Sequence, residues 1–102
     1  MKIKISEKDV VRQVIDYLTI KHYLFIRNNT GAFKTESGGF YRFGSVGSPD
    51  ILVFHKNDFY GIECKSSIGK QSPAQKEFQE KFDNAGGIYL LIKSLEELKD
   101  YL

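Results

Sequence analysis

The sequence predicts one α/β domain in which a mixed central β-sheet is flanked by helices. Three observations carry this expectation. Val10, Val11, Val14, Ile15 and Leu18 recur at helical spacing. Ile51–Phe54 and Ile88–Ile92 are apolar runs of strand length. Between those runs Ser72-Pro-Ala-Gln75 opens a second helix, so helices alternate with strands along the chain.

Each element has a local cause. Ser6 is placed to cap the first helix, with Glu7 and Asp9 in its first turn opposite the helix dipole, and the apolar period carries it to about Ile20. Tyr23–Arg27 reads as a strand, stopped by the polar residues 28–30 and Gly31. Residues 28–49 hold five of the nine glycines and read as one long connection with a short strand at Phe40–Phe43. Asp50–His55 and Phe59–Ser66 form two strands around a tight turn whose central residues are Asn57 and Asp58. The Ser72 capping box starts a helix that ends near Ala85, before Gly86-Gly87. Ile88–Ile92 is a buried strand, and Ser94 with Glu97 makes a second capping box for a short last helix.

With 102 residues, 41% hydrophobic and 27% charged, the chain suits a single core over residues 1–102. The net charge of +2 is small, but it is unevenly spread. Residues 1–70 carry eleven cations and seven anions, whereas residues 71–102 carry four and six. That distribution leans toward a polyanionic partner. Cys64 is the only cysteine, which excludes an internal disulfide and a thiol-rich zinc site and suits a reduced, cytoplasmic setting. The apolar runs are too short to span a bilayer, and Met1–Ile5 does not open a secretory signal, so no membrane partner is expected. His22 and His55 lack the spacing of a zinc site, and neither a nucleotide phosphate-binding loop nor a dinucleotide fingerprint is present.

The residues suited to chemistry are Glu7, Asp50, Glu63 and Lys65. Strand alternation puts Phe59, Gly61, Glu63 and Lys65 on one face. With Asn57 and Asp58 as the turn, Asp50 falls opposite Lys65 and Leu52 opposite Glu63, on that same face. Two carboxylates brought together out of water repel unless a hard, oxygen-seeking cation such as Mg²⁺ joins them. Glu7 shares a helix stripe with Val11, Val14 and Leu18, and a carboxylate there needs a partner, for which a metal-bound water is one candidate. Plainer readings exist for each. Glu-x-Lys also occurs at Glu97–Lys99 on a surface helix, and Glu63 and Lys65 suit a cross-strand charge display on a half-exposed strand. Glu7 suits the helix dipole, Asp50 after Ser48-Pro49 suits an ordinary turn, and Gln75 is explained by its capping box. Cys64 should point into the opposite layer as a small buried residue. Arg27, Lys34 and Arg42 flank or occupy the glycine-rich connection, where cations and backbone amides can hold a phosphodiester backbone.

In order along the chain, Glu7 in a first helix, the Arg27–Gly31 segment with Asn29, Gly47-Ser-Pro-Asp50, Gly61-Ile-Glu-Cys-Lys65 and Ser72-Pro-Ala-Gln75 resemble the virus-type replication-repair nuclease (VRR-NUC) domain, a branch of the PD-(D/E)XK nuclease superfamily. The resemblance runs from Ser6 to about Leu98. It implies a restriction-endonuclease-like core and a Mg²⁺- or Mn²⁺-dependent phosphodiesterase acting on DNA. By position it makes Asp50 and Glu63 direct metal ligands with the Cys64 backbone carbonyl, Glu7 a ligand through water, Lys65 the catalytic lysine and Gln75 an auxiliary site residue. Stand-alone members of this size resemble junction resolvases and form homodimers, which implies branched DNA such as a Holliday junction as substrate, in a bacterial or phage-infected cell. The alternative is a nucleic-acid- or protein-binding module that keeps the fold without catalysis.

Overall fold

The computed structural model describes residues 5–28, 31–43 and 45–102. The element order is α1 (Glu7–Ile20), β1 (Leu24–Arg27), β2 (Gly31–Lys34), β3 (Phe40–Phe43), β4 (Ile51–His55), β5 (Asp58–Cys64), α2 (Pro73–Asn84), β6 (Ile88–Ile92) and α3 (Leu95–Leu98). Four strands form a sheet in the order β1-β4-β5-β6. The β1–β4 and β4–β5 pairs are antiparallel and β5–β6 is parallel, with α2 as the crossover between the parallel strands. The expected mixed sheet flanked by helices is therefore present. No helix among the described residues is long and apolar enough to cross a membrane.

Strand alternation divides the molecule into two layers. Val10, Val14 and Leu18 of α1 pack with Leu98 of α3 against Ile51, Val53, Tyr60, Ile62, Cys64, Leu90 and Ile92, all buried. This cluster is the main core. On the other face α2 contributes Phe82, whose ring meets Phe59 and Tyr89 edge-on at centroid distances of 5.1 and 6.1 Å. Gly61 is what admits it: a Cβ there would stand 2.7 Å from the Pro49 ring and 3.0 Å from Phe82. A second close approach occurs at Gly47, in the left-handed region at φ +81°, where a side chain would collide with the Ala74 carbonyl. The segment leading to Asp50 is thus pressed against the first turn of α2.

Several expectations need correction. The β4–β5 turn is Lys56-Asn57, with Lys56 left-handed at φ 56° and His55 paired with Asp58. The register therefore sets Ile51 against Ile62 and Leu52 against Gly61. This is a shift of two residues, so every side chain keeps its expected face while its opposite number changes. The connection expected as a loop with one strand holds a hairpin: Gly31–Lys34 pairs with Phe40–Phe43, and its turn is closed by Thr35 N–H donating to the Gly39 carbonyl at 2.8 Å. Ser94 makes no side-chain capping bond; Glu97 instead accepts from the Lys93 N–H at 2.9 Å. The buried stripe of α1 is Val10, Val14 and Leu18, with Val11 at its edge and Glu7 exposed at its end.

Candidate metal centre

The register shift has a consequence at the sheet end. Continued one position past Ile51 and Ile62, it places Asp50 across from Glu63, where Lys65 was expected. Asp50 sits just before β4, and three hydrogen bonds from one residue fix its segment. The Asn28 N–H donates to the Asp50 carbonyl at 2.8 Å, while Asn28 Nδ2 donates to Ser48 Oγ and the Pro49 carbonyl, both at 2.8 Å. Asn28 was not singled out in the sequence. Its neighbour Asn29 was, and that residue lies outside the described ones, as do the side chains of Lys34 and Arg42.

The Asp50 carboxylate accepts a hydrogen bond from the Cys64 N–H through Oδ2 at 2.8 Å. Cys64 itself points into the main core, as alternation required, and burial pushes its thiol up, away from reactivity. It meets the site through its backbone alone. The structure engages its N–H there, whereas its carbonyl enters only through the family resemblance.

Glu63 is the most unusual side chain described. It is 2% exposed, the one charged residue among the described residues that is buried. Its Oε1 accepts from Gln75 Nε2 at 2.7 Å and lies 3.7 Å from Lys65 Nζ. Its Oε2 is buried and has no hydrogen-bond partner. The Gln75 amide serves two structures at once. Its Oε1 accepts from the Ser72 N–H at 2.8 Å, completing the capping box, and this leaves Nε2 aimed at Glu63. The capping and site readings of Gln75 are therefore not competitors.

Lys65 lies at the end of β5, only 14% exposed in its side chain, and spans two carboxylates: Glu63 on its own strand and Glu7 Oε1 of α1 at 3.5 Å. Glu7 is half exposed, so the partner its position demanded is this ammonium. Sheet face, helix start and sheet end thus bring together Glu7, Asp50, Glu63, Lys65 and Gln75, five of the expected site residues. Arg27, paired with Ile51 across the β1–β4 ladder, belongs to the α1 side of the sheet, from where its charge still lowers the Asp50 pKa.

The electrostatics follow from burial and crowding. Burial pushes the Glu63 carboxyl up to about 8, the nearby Asp50 charge pushes it the same way, and Lys65 opposes. Asp50 is raised as well, first by burial, against the opposing Cys64 hydrogen bond. Neither state of Glu63 is comfortable. Ionised, it leaves charge on an unpartnered buried oxygen; protonated, it leaves a hydroxyl without an acceptor. An unsatisfied buried polar group costs about 1–3 kcal/mol.

A hard divalent cation fits this donor set. Asp50 and Glu63 offer carboxylate oxygens, one of them orphaned, and such ions take oxygen ligands while keeping several waters. No three His, Cys, Asp or Glu side chains among the described residues converge on one ion position. The remaining coordination would fall to backbone and water.

No protein-family model, curated protein or solved structure matches the chain.

Proposed function

We propose that the chain is a divalent-metal-dependent, structure-selective DNA endonuclease of the VRR-NUC type with a restriction-endonuclease-like core, working as a homodimer on branched DNA such as a Holliday junction. The observation that carries the proposal is the orphaned Oε2 of Glu63, buried across from Asp50 and beside an ammonium. A surface charge display would not bury a carboxylate and leave one oxygen bare.

Asp50 and Glu63 would hold Mg²⁺ or Mn²⁺, with Glu7 reached through water. When bound, the ion supplies Lewis-acid stabilisation of phosphoryl charge and a lowered pKa for a coordinated water. The chain's own groups have separable duties. Asn28 fixes the backbone under Asp50, and the Cys64 N–H orients one oxygen of its carboxylate. Gln75 holds Glu63 Oε1 and leaves Oε2 without a protein partner. Lys65, braced between Glu7 and Glu63, is the group that meets the developing charge of the phosphoryl oxygens and positions the attacking water. The reaction is hydrolysis: water oxygen bonds to phosphorus in line, the P–O3′ bond breaks, and the 3′ oxygen takes a proton. The products are a 5′-phosphate and a 3′-hydroxyl. Selectivity comes from DNA shape and backbone contacts, since the chain carries no base-reading motif.

The test is a gel assay on labelled four-way junction, flap, duplex and single strand, with Mg²⁺, Mn²⁺ or EDTA. Cutting that needs the metal and falls at least about a hundredfold in Lys65→Ala is expected, the scale of losing one charge-stabilising group. DNA binding with no cutting on any substrate would turn the reading to a binding module.

A further inference from the structure

On the α1 side of the sheet end lies a hollow of about 210 Å³ that the metal centre does not use. Lys8, Arg12 and Arg27 supply cations around it, and Val11 and Ile15 supply apolar surface. Asp9 is its one carboxylate, spent on Arg12 at 3.4 Å. Arg27 flanks the glycine-rich connection in the chain, and the fold lines this hollow with it together with two cations of the first helix. Both walls of the hollow are tied to the candidate site. Lys8 follows Glu7, the partner of Lys65, and Arg27 precedes Asn28, whose N–H holds the Asp50 carbonyl.

Resting on the DNA reading above, we infer that this hollow is a phosphodiester subsite, in which Lys8, Arg12 and Arg27 take a backbone phosphate flanking the scissile one and Val11 and Ile15 take the face of its sugar. A nucleic-acid backbone alternates anionic phosphates with apolar sugar surface, and the lining presents both complements side by side. An isolated multivalent anion would need no apolar surface. An acidic peptide would offer carboxylates but no repeat that keeps one anion here while another lies at the metal centre. The subsite thus works as a positioning element: a strand anchored here passes the end of β1 on its way to Asp50.

Fluorescence anisotropy with a labelled four-way junction, read over a salt series with Ca²⁺ in place of Mg²⁺, tests this by binding alone. The variants are Lys8→Ala, Arg12→Gln and Arg27→Gln, with Lys81→Ala on the exposed flank of α2 as a control. All three are exposed residues, so their melting temperatures should match the parent's, which is checked first. Each of the three should lower affinity about tenfold at 0.1 M salt and reduce the slope of log K against log salt by about 1, whereas Lys81→Ala changes neither. Asp9→Asn, which frees Arg12, should tighten binding. Variants that bind like the parent, or Asp9→Asn that binds no better, would overturn the subsite. Parent protein that binds and loses affinity in the variants, yet never cuts DNA, would sink the nuclease reading and leave the subsite standing. Parent protein that binds no DNA would end both.

Discussion

One strand, β5, shows both faces of this molecule. Tyr60, Ile62 and Cys64 are sealed under α1 and α3, every one buried among apolar neighbours. Gly61, Glu63 and, just past the strand, Lys65 lie on the face toward α2, and there a buried carboxylate is left with a bare oxygen. The backbone is the same, so the difference lies in what each layer was filled with. The first layer is satisfied and gives stability. The second tolerates a buried carboxylate with one unpartnered oxygen, the pattern expected where a fold trades stability for a site.

That contrast can be broken in order of effect. The largest response should come from the sealed layer. Ile62 is fully buried, and Ile62→Ala should cost about 2–5 kcal/mol in denaturant unfolding while leaving the protein's response to divalent cations in place. Loss of that response in a variant that still folds would mean the two layers are not separable.

A smaller effect of opposite sign is expected one residue on. Glu63 is raised from 4.5 to about 8, so the folded protein holds a proton that the unfolded chain releases. That contribution to stability is present below pH 4.5 and is lost as pH rises through 8. Asp50, also raised, acts in the same direction. Cation-free protein should therefore melt at falling temperature from pH 5 to pH 8. Glu63→Gln should flatten the profile and melt above the parent at pH 8 by roughly 5 °C, the shift that about 1 kcal/mol gives in a domain this size. A parent profile that is flat, or one that rises with pH, would mean that Glu63 ionises freely.

How far the site was legible depended on which information each residue carries. Alternation placed Glu63 and Lys65 on one face and sent Cys64 to the other. The expected turn put Asp50 with them, a placement that survives because the register differs by two residues and not by one. Which residues stand opposite depends on the turn, and the sequence around Asn57 and Asp58 did not disclose that Lys56 takes the left-handed position. Helix starts at Ser6 and Ser72 were readable from local capping chemistry. Ser94 was not, since its expected partner Glu97 reaches the Lys93 N–H instead. The strand Gly31–Lys34 was hidden by the glycines around it, which favour turns until a partner strand fixes them. Asn28 was missed because its three bonds all go to residues 48–50, a contact no local pattern encodes. Gln75 was read as a cap because a single residue doing two jobs leaves one signature.

The central claim is that Asp50 and Glu63 together bind a divalent cation, and the most direct measurement is the melting temperature at pH 8 across a Mn²⁺ titration, for the parent, Asp50→Asn and Glu63→Gln. A cation that binds only the folded protein adds about 2.7 kcal/mol at ~100 times its Kd. The account predicts a rise in the parent that saturates with Mn²⁺ and is absent from both variants. A parent whose melting temperature ignores Mn²⁺, or an Asp50→Asn protein stabilised as much as the parent, would contradict it.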